Sequence, residues 1–456
     1  MLAALSLLPL TGFGYSSTGE LASAATARAA YSPQPGRGAD WIGLPDGLPT
    51  ATVEAIATND TYLILNKNDR HNDLRQQLVD VNRLMNAAAA HGNHLHVFAY
   101  YPNNVWLTKE YNGLLPFSSH FPINNSWFLK DHKGNPIPYY RESDPTHHQQ
   151  PVGYVPDTSN AAYQRWLVAT IRDWLQLAPF KGIAFDGTNI RIGMSSVGSS
   201  VGANAALTWN QLLCGPGTYT RNCGRVDAMN SGLTAIVRDT ATAIHPLGDE
   251  VLYNGIARSP GRDDFRNIGL LDQADIASNE SFCYSVDPDG AVRLRSLPDD
   301  WAIMRAQAAH DKKIIQMINY VDQPTNATYG DYCVAGFMIG WQPGSDYLVV
   351  HRDSSSELSM NKNPALPLTP SPGVPEIKLN LGNPHGAYQQ TGAVYWRTFQ
   401  NGLVAINPSS VPGAVRLPAA MTQFSNGSMR ASYPADAMFT VAPGGAVFFL
   451  TNSYLY

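Results

Sequence analysis

Apolar residues along this chain gather in short β-prone runs, and between the runs the spacing lengthens to that of a helix. The runs are ADWIGLP (39–45), TYLILNK (61–67), HLHVFAYYP (94–102), KGIAFDGTN (181–189), EVLYNGI (250–256), ADIASNES (274–281), KKIIQMINY (312–320) and AGFMIGW (335–341). Between them lie segments such as NDLRQQLVDVNRLMNAAAAHG (72–92) and NAAYQRWLVATIRDWLQLAP (160–179). In the second, Trp166, Val168, Ile171, Trp174 and Leu175 recur at helical spacing, which predicts a helix with one core-facing stripe. Strand alternating with helix, eight times over roughly 320 residues, predicts an α/β fold of the (β/α)8 TIM-barrel type. A doubly wound open sheet fits less well, because no Gly-rich phosphate loop follows an early strand.

The pattern also divides the chain. Residues 1–36 open with MLAALSLLPLTGFG, an apolar run followed by small residues, which predicts a secretory leader although the first basic residue is Arg28. The barrel is expected over 37–362, with 103–158 as a long loop after the third strand. A Pro-rich connector follows at 363–378. From 379 to 456 the texture changes to short alternating strands, AVYWRTFQNGLVAIN (393–407), AVRLPA (414–419) and GAVFFLTN (445–452), with QNG as a hairpin turn. This part predicts a small antiparallel β-sandwich.

Composition narrows the chemistry. Of 456 residues 44% are hydrophobic and only 15% charged, while Asn, Ser, Thr and aromatics are plentiful, which suits an extracellular protein handling neutral polar ligands. A formal net charge of −5 without Lys/Arg clusters argues against nucleic acid as a partner. No later stretch is long and apolar enough for a membrane span. Cys214 and Cys223 flank a Gly/Pro-rich loop that a disulfide would staple, and Cys283 and Cys333 could close on each other; three connectivities remain open. No Cys or His spacing suggests a metal, no cofactor motif occurs, and His94 and His96 read as core or barrel-lining side chains.

In a barrel of this type reactive groups project from the carboxyl ends of strands. Asp186 ends the fourth run and Glu280 ends the sixth, each directly after apolar strand residues. Two acids facing across a cup are what glycosidic cleavage needs, one to attack the anomeric carbon or activate water and one to protonate the departing oxygen. Groups suited to sugar rings and hydroxyls recur at other strand ends: Asp69, Tyr100 with Tyr101, Trp106, Tyr253 with Asn254, Asn319, Trp341 with Gln342, and Asp346. Glu280 lies inside one of five Asn-x-Ser/Thr sequons, at Asn59, Asn124, Asn279, Asn326 and Asn426. A glycan on Asn279 would obstruct such a cleft, so the expectation is that Asn279 is bare or that the host does not glycosylate at all.

The FDG at strand four, the later NES and above all LGNPHGAYQQTGAVYWRTFQNGLVAINPS resemble glycoside-hydrolase-like families of bacterial secreted proteins. In these a (β/α)8 barrel precedes a β-sandwich carrying W-R-x-F-x-N-G-x-V-x-x-N-P. Here that pattern is Trp396, Arg397, Phe399, Asn401, Gly402, Val404, Asn407 and Pro408. More distantly the chain resembles the α-galactosidase clan, whose nucleophilic aspartate ends strand four and whose acid/base, commonly an aspartate, ends strand six. The resemblance implies a secreted or periplasmic retaining glycoside hydrolase of a neutral oligo- or polysaccharide, with Asp186 as nucleophile and Glu280 as acid/base. A carbohydrate-binding protein on a catalytically inert barrel is the competing expectation.

Overall fold

Seven of the short runs rich in Ile, Val, Leu and aromatics lie side by side as parallel strands, with an eighth strand further along the chain. They are β1 (Ala39–Leu44), β2 (Tyr62–Lys67), β3 (His96–Pro102), β4 (Gly182–Asp186), β5 (Glu250–Asn254), β6 (Ile276–Asn279), β7 (Lys313–Ile318) and β8 (Asp346–Val350). Each pairs with the next in parallel register, in chain order. Cα atoms of β1 and β8 approach within 8 Å, so the sheet curls round on itself as a (β/α)8 barrel. The computed structural model describes residues 39–44, 48, 50–67, 74–102, 124–139, 153–186, 208–215, 224–258, 265–266, 270, 272–279, 282–286, 292–294, 296–318, 327–350, 379, 381–425 and 428–451.

The helices around the barrel are α1 (Thr50–Asn59), α2 (Leu74–Ala90), α3 (Ala161–Leu175), α4 (Trp209–Cys214), α5 (Arg225–Ile244), α6 (Leu297–Ala309) and α7 (Ala327–Gly340). Helix α3 starts where Asn160 accepts hydrogen bonds from the amides of Ala162 and Tyr163. It buries Tyr163, Leu167, Ile171 and Trp174 at helical spacing, with Trp166 half-buried beside them. Described parts of the segment after β3 fold against the helices: Trp127 packs on Trp166 and Tyr163, and Leu129, Ile137 and Val155 join residues of α4 and α5. Among the described residues no helix is long and apolar enough to cross a membrane.

One strand differs from expectation. AGFMIG is the carboxyl end of α7, with Trp341 just beyond it, and the eighth strand is Asp346–Val350 instead. Residues 332–341 are buried on every side, so this helix has no polar face and its sequence looks like a buried strand. Close approach is built in: a Cβ at Gly336 would press on Leu297, and one at Gly340 would overlap Trp301 Cδ1. Both neighbours belong to α6.

Antiparallel strands follow: β9 (Gln389–Thr391), β10 (Val394–Phe399), β11 (Gly402–Ile406), β12 (Gly413–Arg416), β13 (Met421–Ser425), β14 (Ser428–Tyr433), β15 (Met438–Val441) and β16 (Ala446–Thr451). Six form one sheet in the order β9-β10-β11-β16-β13-β14, and β12 pairs with β15 in a second. Val394, Leu403, Val415, Val441 and Phe449 fill the space between the sheets. The opposite face, with Val404, Ile406, Phe448 and Leu450, continues the core of the barrel's helical layer. Every residue of β11 is therefore buried.

Candidate active site

Period-two alternation sorts the described side chains of the barrel strands into an inner and an outer series. Tyr62, Ile64, Phe98, Ala184, Leu252, Ile276, Ile315 and Met317 form the interior, with Tyr100 and Tyr347 partly buried against them. Their alternates, among them Val97, Ile183, Phe185, Val251, Tyr253, Ala277 and Ile314, face the helices. At the amino end the floor is polar. His96 Nδ1 lies 2.8 Å from Glu250 Oε2, and Lys313 Nζ donates to Glu250 Oε1 at 2.5 Å. The ammonium also sits 5.5 Å from the Tyr62 ring centroid. Burial would raise the Glu250 pKa, but hydrogen bonds from His96 and Lys313 and the Lys313 charge together hold it below the usual value.

The carboxyl rim is where the two proposed acids belong. Ala184 is level with Leu252, and Leu252 with Ile276, so these inward residues of β4, β5 and β6 share one layer. One step up, Asn254 is level with Ser278, and Ser278 Oγ donates to Asn254 Oδ1 at 2.8 Å. Residue 186 closes β4 opposite Pro102, two positions beyond Ala184. Its backbone is described and its side chain is not; Asp69, Trp106, Glu280 and Asn319 lie outside the described residues.

Tyr100 and Asn254 stand on the inner series, as ligand-facing groups require. Three other candidates do not. Tyr253 is fully buried on the outer series, packed towards the helices, and burial first, then the Asp272 charge, pushes its hydroxyl well above the usual tyrosine pKa. Its parity is opposite to that of Asn254. Trp341 and Asp346 were expected at a strand's carboxyl end because AGFMIGW was read as a strand. They sit instead at the amino end of β8, buried, with Trp341 Nε1 donating to the Asp346 carbonyl at 3.2 Å and the Gln342 amide donating to Asp346 Oδ2 at 2.6 Å. In a barrel this end serves stability. Tyr101 also faces outward, its hydroxyl 3.0 Å from that of Tyr163, and burial pushes its pKa up to about 12 despite the lowering effect of that bond.

Just past β6 the chain is tied down. Cys283 and Cys333 form a disulfide that reaches α7. Cys214 ends α4, and Cys223 lies outside the described residues. The sequence reading missed a buried polar group behind β6: Asn279 Nδ2 donates to Gln316 Oε1 at 2.9 Å and to Asp300 Oδ1 at 3.3 Å. Asp300 Oδ2 accepts from the Cys283 amide at 3.1 Å. The available signal was parity, since Asn279 alternates with the inward Ser278.

No protein-family model matches the chain, and no curated protein does either. Solved structures give likenesses over nearly the whole length. An α-amylase from Geobacillus thermoleovorans complexed with acarbose is 11% identical at a TM-score of 0.48, over 92% of this chain and 99% of that one. The maltogenic α-amylase AmyB from Thermotoga neapolitana is 11% identical at 0.44, over 91% and 98%. A GH27 β-L-arabinopyranosidase from Geobacillus stearothermophilus is 8% identical at 0.44, over 92% and 97%. The chain is similar in structure to these glycoside hydrolases, at identities and scores that bear on neither its substrate nor the role of any residue.

Proposed function

We propose that the chain is a glycoside hydrolase cleaving a neutral oligo- or polysaccharide, with Asp186 as nucleophile and Glu280 as general acid/base. The observation that carries this reading is register. Asp186 is the last residue of β4 and Glu280 directly follows the last residue of β6, with one strand between them. Strands lie about 4.8 Å apart, so backbones two strands apart are separated by about 10 Å or less in a curled sheet. Two carboxylates reaching towards the axis from such positions would span the range that either a retaining or an inverting pair needs, about 5 to 9.5 Å.

In the retaining form an Asp186 carboxylate oxygen bonds to the anomeric carbon while the glycosidic C–O bond breaks and Glu280 gives its proton to the departing oxygen. Water then attacks the same carbon, Glu280 takes back a proton, and the Asp186–sugar bond breaks. Tyr100 and Asn254 would line the cup, and Asp69, Trp106 and Asn319 follow barrel strands in sequence and are assigned to hydroxyls and ring faces. Secretion or a periplasmic location is part of the proposal, supported by the Cys283–Cys333 disulfide.

The test is hydrolysis of a panel of neutral plant and microbial polysaccharides by the wild type and by Asp186→Asn. The variant is expected to lose roughly three orders of magnitude or more in kcat, as removal of a covalent nucleophile does. Undiminished turnover by Asp186→Asn would remove the assignment. Binding without hydrolysis across the panel would point to a carbohydrate-binding protein.

A further inference from the structure

Between the barrel and α6, behind the carboxyl end of β6, a polar set occupies a layer that is otherwise apolar. Asn279, Asp300 and Gln316 are 2%, 1% and 0% exposed. Around them the same layer holds Ala277, Trp301, Ile303, Ile314 and Ile318. Buried polar side chains cost free energy that apolar ones of similar size would not, and Gln316 Nε2 has no hydrogen-bond partner among the described residues. The position of Asp300 in the first turn of α6 offsets part of this, because a carboxylate is favoured at a helix amino end. Stability alone does not account for the set.

What the set holds is backbone on both sides of residue 280. Asn279, one residue before, is tied to β7 through Gln316 and to α6 through Asp300. Cys283, three residues after, gives its amide to the same Asp300 carboxylate. Two more ties act there: the Phe282 amide donates to the Met317 carbonyl at 3.2 Å, and the Cys283–Cys333 disulfide reaches α7. Cys283 has φ of 69°, a left-handed backbone that a non-glycine residue keeps only where its surroundings hold it.

We propose that Asp300 is a positioning residue: by bridging Asn279 Nδ2 and the Cys283 amide, its carboxylate fixes the chain on either side of Glu280 for proton transfer. The inference rests on the reading of Glu280 as general acid/base. A displacement of about 1 Å at a reacting group can cost on the order of 100-fold in rate, whereas substrate affinity depends on other contacts. Asp300 therefore acts on kcat.

The experiment compares wild type, Asp300→Leu, Asp300→Asn and Glu280→Gln on the unactivated neutral oligosaccharide that the wild type turns over fastest, whose leaving oxygen needs a proton, with thermal melting in parallel. Leucine keeps the volume and removes both acceptors, so kcat is expected to fall about 10- to 100-fold with KM within about threefold. Asparagine leaves one acceptor oxygen for two donors, and its kcat should fall between the two. The basic limb of the pH–kcat profile should move in both variants. If both Asp300 variants melt lower but keep wild-type kcat and pH profile, the role is structural and the proposal is overturned. Should Asp300→Leu not fold, the same outcome for Asp300→Asn decides it. Glu280→Gln separates the two layers of the argument: unimpaired turnover by that variant overturns the acid/base reading and the positioning role together. Impaired Glu280→Gln beside unaffected Asp300 variants overturns the positioning role alone.

Discussion

Asn279 carries a glycosylation consensus, yet its amide nitrogen is spent inside the protein. Nδ2 donates to Gln316 and Asp300 with the side chain 2% exposed, leaving no path for an oligosaccharide. Asn124 is the contrast: its side chain is exposed and only caps the turn at Ser126. When the chain is secreted from a glycosylating eukaryotic host, peptide mass spectrometry of the folded product should find Asn279 bare. A glycan there would contradict the geometry behind β6. The sequence alone suggested the same outcome, but for a different reason, obstruction of a cleft. Parity decides several other residues. Ser278 and Asn254 share the inner phase with Ile276 and Leu252, while Tyr253 and Asn279 take the outer phase. Reading strand-end aromatics without their phase is what put Tyr253 among the ligand-facing groups.

At the scale of elements, seven of the eight barrel strands were visible as apolar runs, because a strand covered on both faces needs little else. The eighth was not. Helix α7 is enclosed by α6, the barrel and the β-sandwich, so it shows no amphipathic period, and AGFMIGW looks more like a buried strand than Asp346–Val350 does. The barrel floor was likewise only half legible: His96 reads as lining, but its partner Glu250 lies 154 positions away, and Lys313, the second partner of Glu250, a further 63. This floor makes a prediction about acid. The folded-state pKa of Glu250 lies below its ordinary 4.5, so its contribution is fully present above that value and is lost as the pH falls through the folded one. Glu250→Gln should cost about 1.5–3 kcal/mol at pH 7, the range for hydrogen bonds to charged groups. Urea unfolding should show the gap between wild type and variant closing below pH 4.5. A gap that stays constant into acid would mean that the carboxylate charge is not what stabilises the floor.

At the scale of the molecule, the W-R-x-F-x-N-G motif turns out to join two halves. Arg397 reaches from β10 into the end of α7, where its Nη1 donates to the carbonyls of Ile339 and Trp341 at 3.0 and 2.6 Å, and its Nε to Gly386 at 2.9 Å. Burial lowers its pKa to about 10, against the raising influence of Asp346, whose own carboxyl burial pushes well above the usual range. Trp301 of α6 packs between Tyr388 and Tyr395, and Arg305 covers the Tyr388 ring. Asn407 staples the sandwich itself, donating to the Val411 and Val441 carbonyls. The motif therefore marks architecture, which is why it could be recognised while saying nothing about a substrate. Replacing Arg397 with methionine keeps the apolar stem and strips three carbonyls of their donor, at an expected cost of about 2–5 kcal/mol. Separation of the halves is not an available compromise, since it would expose Phe337, Ile339, Val404, Phe448 and Leu450, each worth about 1.5–3 kcal/mol when buried. Calorimetry should accordingly show one transition for the wild type and one, at lower temperature, for Arg397→Met. Two resolved transitions in either protein would show that barrel and sandwich hold their folds independently, and that α7 keeps its structure without the sheet covering it.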